Sequence, residues 1–132
     1  MKKNTKILSL LLVCVIFLSA CGNKDEAKKP DYKPFMIKAT EDFVKDHFGA
    51  SEVKVETKDY VAIHTDEVLK AVDGKTYDKS IVGTGKIAID GEEYKYQLIV
   101  NVDNLEDPKD YLVLNFETID KTSQYDYDIL ED

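Results

Sequence analysis

The apolar residues change their spacing along the chain, and each change marks an element. Residues 7–18 are apolar except for Ser9, a run of about 12 that falls short of the roughly 20 needed to span a membrane. Residues 22–33 then carry almost no large apolar group, which is the pattern of a polar tether. From Pro34 onward Phe35, Met36, Ile37, Ala39, Phe43, Val44 and Phe48 recur at three- and four-residue intervals between charges. That spacing predicts an amphipathic helix over 34–48, opened by proline and stopped by Gly49. Lys45 and His47 fall in its last turn, where positive groups suit the helix dipole.

Beyond the helix the period shortens to two. Val53, Val55 and Thr57 alternate with Lys54 and Glu56, and Tyr60-Val61-Ala62-Ile63 follows, so one long strand with a bend or bulge near Lys58-Asp59 is expected. Residues 65–72 fit two readings: Thr65 caps a short helix carrying Val68, Leu69 and Val72, or the stretch continues the sheet. Asp73-Gly74 reads as a turn and residues 75–80 as a loop. The sharpest local signal is Asp90-Gly91 between the runs 81–89 and 92–102, a pair that favours a two-residue hairpin because both positions adopt positive φ. On the second run Tyr94, Tyr96, Leu98, Val100 and Val102 share a face, while Glu93, Lys95, Gln97 and Asn101 take the other, Ile99 excepted. One face is therefore expected to pack and the other to meet water. In the next run Leu112, Leu114 and Phe116 are expected on one side, and Gly83 and Gly85 to mark a bulge or kink in their own strand.

One helix followed by about four antiparallel strands gives an α+β domain, a helix on a curved sheet, over 34–121. The remaining 122–132 alternate acidic and large apolar groups. They read either as a last edge strand with Tyr125, Tyr127 and Ile129 inward or as a disordered partner-binding tail.

The first 20 residues are a different object from the rest, holding 13 of the 57 hydrophobic residues. Lys2, Lys3 and Lys6 precede the apolar run, and Leu18-Ser19-Ala20-Cys21 closes it, the layout of a secretory signal peptide over 1–20. Leu18, Ser19, Ala20 and Cys21 resemble the lipobox of bacterial lipoproteins. That resemblance implies a diacylglycerol on the Cys21 thiol, cleavage before it, and a lipidated tether over 21–33. Cys14 leaves with the signal, so a lipidated Cys21 leaves no thiol for a disulfide, a metal site or thiol catalysis. Two acyl chains suffice for stable anchoring, at about 0.8 kcal/mol per buried methylene. The expected location is the extracytoplasmic face of the cell membrane.

Charge removes another class of partner. The chain carries 18 basic against 26 acidic residues, and without the leader 15 against 26, so phosphate-backbone recognition of nucleic acid is not expected. Catalytic constellations are equally scarce. His47 and His64 are the only histidines, no Gly-x-Ser-x-Gly elbow is present, and Ser51, Ser80 and Ser123 lack supporting context. His64-Thr65-Asp66-Glu67 is better explained by the acids of a helix N-terminus than by zinc, and residues 103–107 by a solvated acidic loop than by calcium. Gly83-Thr84-Gly85-Lys86 lacks phosphate-loop spacing and precedes a strand. Tyr94, Tyr96 and Tyr111 read as sheet packing, Tyr32 and Tyr77 as exposed. Neither an enzyme nor a cofactor is expected.

The lipobox, the short charged tether, the helix containing Phe43-Val44-Lys45-Asp46-His47-Phe48-Gly49 and the strands around Asp90-Gly91 together resemble the small cystatin-like-fold lipoproteins of staphylococci and relatives. The resemblance spans nearly the whole chain and implies a helix wrapped by an antiparallel sheet, surface anchoring and, for some members, carriage on mobile elements. Protease inhibition is not inherited, because the Gln-x-Val-x-Gly loop of true cystatins is missing and fold alone does not carry function. The expected task is non-enzymatic binding of an envelope protein. Two alternatives are a pheromone cut from the signal at Val13-Cys14-Val15-Ile16-Phe17-Leu18-Ser19-Ala20 and a small-ligand pocket between helix and sheet.

Overall fold

The computed structural model describes residues 31–131, so the expected signal peptide, Cys21 and nearly all of the expected tether lie outside the described residues. Helix α1 spans Lys33–Phe48, with Pro34 in its first turn and Gly49 closing it at φ 72°, the Gly49 N–H donating to the Lys45 carbonyl at 3.0 Å. Met36, Ala39 and Val44 of the expected stripe are buried, together with Thr40, while Phe35, Ile37, Phe43 and Phe48 are partly buried against the same core. The domain begins earlier than the tether reading allowed. Tyr32, expected exposed, is buried, and its hydroxyl donates to the Leu105 carbonyl at 2.7 Å. Its polar neighbours in sequence hid an amphipathic ring whose body enters the core while its tip finds an acceptor.

Eight strands follow: β1 Val53–Val55, β2 Val61–Thr65, β3 Leu69–Lys70, β4 Thr76–Tyr77, β5 Ser80–Ile89, β6 Glu92–Val102, β7 Tyr111–Thr118 and β8 Asp126–Asp128. All pairings are antiparallel. The main sheet has six strands where about four are expected, in the order β1-β5-β6-β7-β8 with β2 also on β5; β3 and β4 form a separate ribbon. Both β1 and β2 pair with β5, so they are one long strand interrupted at 56–60. The Glu56 N–H still donates to Lys86, and Val61 already faces Thr84, so the intervening residues bulge opposite Gly85. Asp59 takes the required left-handed turn at φ 64°.

That bulge swings Tyr60 into the core across β5, and the two glycines make the slot for its ring. A Cβ on Gly85 would lie 2.5 Å from Tyr60 Cδ1, and one on Gly83 would lie 2.3 Å from the Tyr60 hydroxyl. Strand β5 itself runs unbroken. The glycines thus mark close approach by another element, and the irregularity belongs to the neighbouring strand.

The hairpin forms at Asp90-Gly91, with φ 49° and 91°. Asp90 does a second job, its Oδ1 accepting from the N–H groups of Ser51 and Glu52 at 3.0 and 2.8 Å, which ties the helix-to-β1 connection to the hairpin. Tyr96, Leu98, Val100 and Val102 face α1 with Ile81, Ile87, Ile89, Val113 and Phe116. Each large side chain so buried contributes about 1.5–3 kcal/mol.

The other face is not simply wet. Val82, Ile99, Leu114 and Leu130 form a second core there, packed by Ile63, Leu69, Tyr77 and Ile129. This accounts for Ile99, the residue that broke the alternation. Leu114 reaches this side because Ile99 pairs with Asn115 while Val100 pairs with Val113, a bulge that reverses the facing of β7 midway. Expected companions therefore separate: Phe116 lies in the helix-side core, Leu114 in the outer core, and Leu112 is 46% exposed.

Thr65 ends β2 in the main sheet, and the residues after it form no helix; Leu69 and Lys70 continue in strand, in the separate ribbon with β4. Leu69 packs into the outer core from β3, whereas Val68 and Val72 are exposed, so their helical spacing was coincidental. Residues 75–80, expected as a loop, contain β4 and the start of β5. Tyr77, expected exposed, is half-buried in the outer core. The tail closes the structure as an edge strand. β8 pairs with β7, Tyr125 and Tyr127 pack on the helix side, and Leu130 bridges Ala71.

Candidate functional site

The expected chemical candidates resolve into packing and turn geometry. His47 stacks on Phe43 at 5.0 Å and meets Phe48 and Tyr127 edge-on at 4.8 and 4.9 Å, a ring in an aromatic cluster at the end of α1. His64 lies in β2 with Nε2 3.8 Å from Asp66. Thr65 Oγ1 accepts from the Glu67 N–H at 3.2 Å, so these residues make a turn after a strand and no helix N-terminus. In the 103–110 loop Asp103 Oδ1 accepts from the N–H groups of Lys109 and Asp110, both at 3.1 Å, and these bonds hold its carboxyl below the usual range. The acids there close the loop. Among the described residues no group of three or more histidine, cysteine or acidic side chains converges to hold a metal ion.

The layer between α1 and the sheet, the alternative ligand pocket, is filled by Met36, Tyr60, Tyr96 and Thr40. Thr40 Oγ1 donates to the Met36 carbonyl at 2.7 Å and lies 3.2 Å from the Tyr96 hydroxyl. Tyr60 and Tyr96 stack with centroids 6.3 Å apart. Burial pushes the Tyr60 hydroxyl up to about 12 and raises that of Tyr96 further, so both stay protonated at neutral pH. The Tyr60 hydroxyl sits beside those of Tyr96 and Thr40 yet makes no hydrogen bond of proper geometry.

A groove of ligand-sized volume lies on the outer face, in the half of the sheet that the outer core does not cover. It encloses about 460 Å³ and runs between the 56–59 bulge and the β5–β6 hairpin. Its charged lining is Lys54, Lys58 and Lys86 with Glu56 and Glu93, and Ala88 lies beneath. Alternation places Lys54 and Lys86 outward because their neighbours Val55 and Ile87 are buried in the helix-side core. Lys95 stands directly opposite Lys86 on β6.

None of these four lysines makes an ion pair among the described residues, although the domain is rich in carboxylates. Sequence reasoning did not find this groove. Part of it was accessible, since a two-residue turn at 90–91 fixes Lys86 against Lys95. Lys54 and Lys58 join through the interrupted pairing of β1 and β2 with β5; the sequence marks the interruption near Lys58-Asp59 but not the strand it pairs with.

Comparison of the chain with protein-family models, with curated proteins and with solved structures finds no match. Among the described residues no helix is long and apolar enough to cross a membrane.

Proposed function

We propose that this chain is a bacterial surface lipoprotein, anchored through acylated Cys21 to the extracytoplasmic face of the cell membrane, whose cystatin-like domain is a non-enzymatic binding module for an envelope protein. The observation that carries the reading is the sequence Leu18-Ser19-Ala20-Cys21 behind a basic, apolar leader, followed after ten residues by the first buried residue of the domain, Tyr32. Ten residues reach at most about 35 Å, so the domain works close to the headgroups. One helix against an antiparallel sheet supports the cystatin-like assignment. Protonated core tyrosines, a histidine used in packing and carboxylates engaged in turns support binding over catalysis.

Photo-crosslinking of the full-length protein on living cells tests this reading, with probes at Lys54, Lys95, Leu112 and Val72. One dominant protein captured from some positions and not others is the expected result. Diffuse capture of abundant neighbours from every position would overturn it.

A further inference from the structure

We infer that the outer-face groove between the 56–59 bulge and the β5–β6 hairpin is a binding site for a phosphate group, carried as a monoester or diester and held by Lys54, Lys58 and Lys86 with Lys95 adjoining. The inference rests on the reading of the domain as a binding module and adds the ligand chemistry of one face.

Three observations converge. The described residues carry twelve lysines, of which Lys38, Lys70, Lys79, Lys109 and Lys121 are ion-paired; four of the remaining seven gather at this groove. In a domain with so many acids, that segregation leaves a surface on which lysines outnumber the two lining carboxylates, Glu56 and Glu93. Next, Lys86 and Lys95 oppose each other across the hairpin, an arrangement of like charges that costs stability unless an anion lies between them. Lastly, the groove is built from fixed backbone: β5 is its floor, and its wall is pinned by the bond from the Glu56 N–H to the Lys86 carbonyl at 2.9 Å and by the turn at Asp59.

The donor set selects the ligand. Planar carboxylates are best gripped by the arginine fork, and this chain contains no arginine. Lysine ammoniums act as point charges and suit a compact, highly charged phosphate. Glu56 and Glu93 line the same groove and limit its positive charge, which fits a single phosphate group better than a dense polyanion. The lysines lie well along the sheet from the tether end. Lys86 is six residues from Ser80, roughly 20 Å of strand, while Tyr32 is fastened at the loop that follows β6.

The test follows backbone amide shifts of the full-length protein in phosphatidylcholine nanodiscs while inorganic phosphate replaces chloride at constant ionic strength. A parallel arm adds phosphatidylglycerol to the discs. Saturable shifts centred on Lys54, Lys86, Ala88 and Lys95 are expected. The Lys54→Gln/Lys86→Gln/Lys95→Gln variant should weaken binding by about tenfold or more, and Lys75→Gln should leave it unchanged. Since all three positions are exposed and two repel each other, the triple variant should be at least as stable without phosphate, so lost binding does not report misfolding. Shifts with free phosphate assign a soluble or polymer-borne source; shifts only with phosphatidylglycerol assign a lipid headgroup. Shifts spread over all lysines, shifts that survive the triple substitution, or none in either arm would overturn the site. Such a result leaves protein capture on cells untouched, so the two readings fail separately.

Discussion

Tyr60 holds its place through two residues that have no side chain. Gly83→Ala should cost about 1–3 kcal/mol in urea unfolding, because its Cβ would strike the Tyr60 hydroxyl at 2.3 Å in a core that cannot yield. Tyr60→Phe should be nearly neutral, within about 1 kcal/mol, since it removes a buried hydroxyl that makes no proper hydrogen bond. In the Tyr60→Phe background the cost of Gly83→Ala should fall, while that of Gly85→Ala should persist because it meets Cδ1. Equal costs in both backgrounds would contradict the slot. The same residue sets a limit at high pH. Its folded pKa of about 12 lies above the ordinary 10, so the unfolded chain binds fewer protons between those values. Stability should therefore be full below pH 10 and fall as pH rises through 12, with phenolate absorbance from this tyrosine lagging that of the exposed tyrosines. The two glycines were visible in the sequence as weak points of a strand. Their partner was not: the interruption near Lys58-Asp59 shows in the sequence, but only the pairing of β1 and β2 with β5 sets Tyr60 against them.

At the scale of elements, legibility followed how local the determinant is. Helix α1 and the 90–91 hairpin are fixed by spacing, proline, glycine and turn chemistry within a few residues, and both lie within a residue of where the sequence puts them. Strand β7 was misread because one extra residue at Leu114 reverses its facing, and nothing in Tyr111-Leu112-Val113-Leu114 announces this. The bulge makes a testable distinction between two leucines that plain alternation treats alike. Leu114→Ala should cost about 2–4 kcal/mol and Leu112→Ala less than about 1, measured as changes in chemical unfolding midpoint. Comparable losses would mean that Leu112 is as buried as Leu114 and would contradict the bulge. The two-residue strands β3 and β4 were illegible for a related reason: Leu69 and Tyr77 are held by the outer core, and their own segment has no period.

For the whole molecule, the outer core decides how the parts close on one another. The Val72 N–H donates to Ile129, Ile129 to Leu114, and Glu131 to Lys70, so the C-terminal segment stitches the β3–β4 ribbon to β7. Leu130→Asp should loosen that ribbon, giving faster amide exchange at Leu69, Lys70 and Ala71 while α1 stays protected. Equal exchange throughout would make the ribbon independent of the tail. The candidate site was legible only in part, since hairpin register pairs Lys86 with Lys95 but the groove needs the bulge wall as well. The proposed anchoring, in contrast, rests wholly on the leader and Cys21. The measurement that bears most directly on the proposed function is metabolic labelling of cells with an alkyne fatty acid, comparing the full-length protein with Cys21→Ala. Acyl label on a membrane-bound, leader-free protein is expected, with complete loss in Cys21→Ala. An unlabelled protein released with a free thiol at Cys21 would contradict the proposed anchoring.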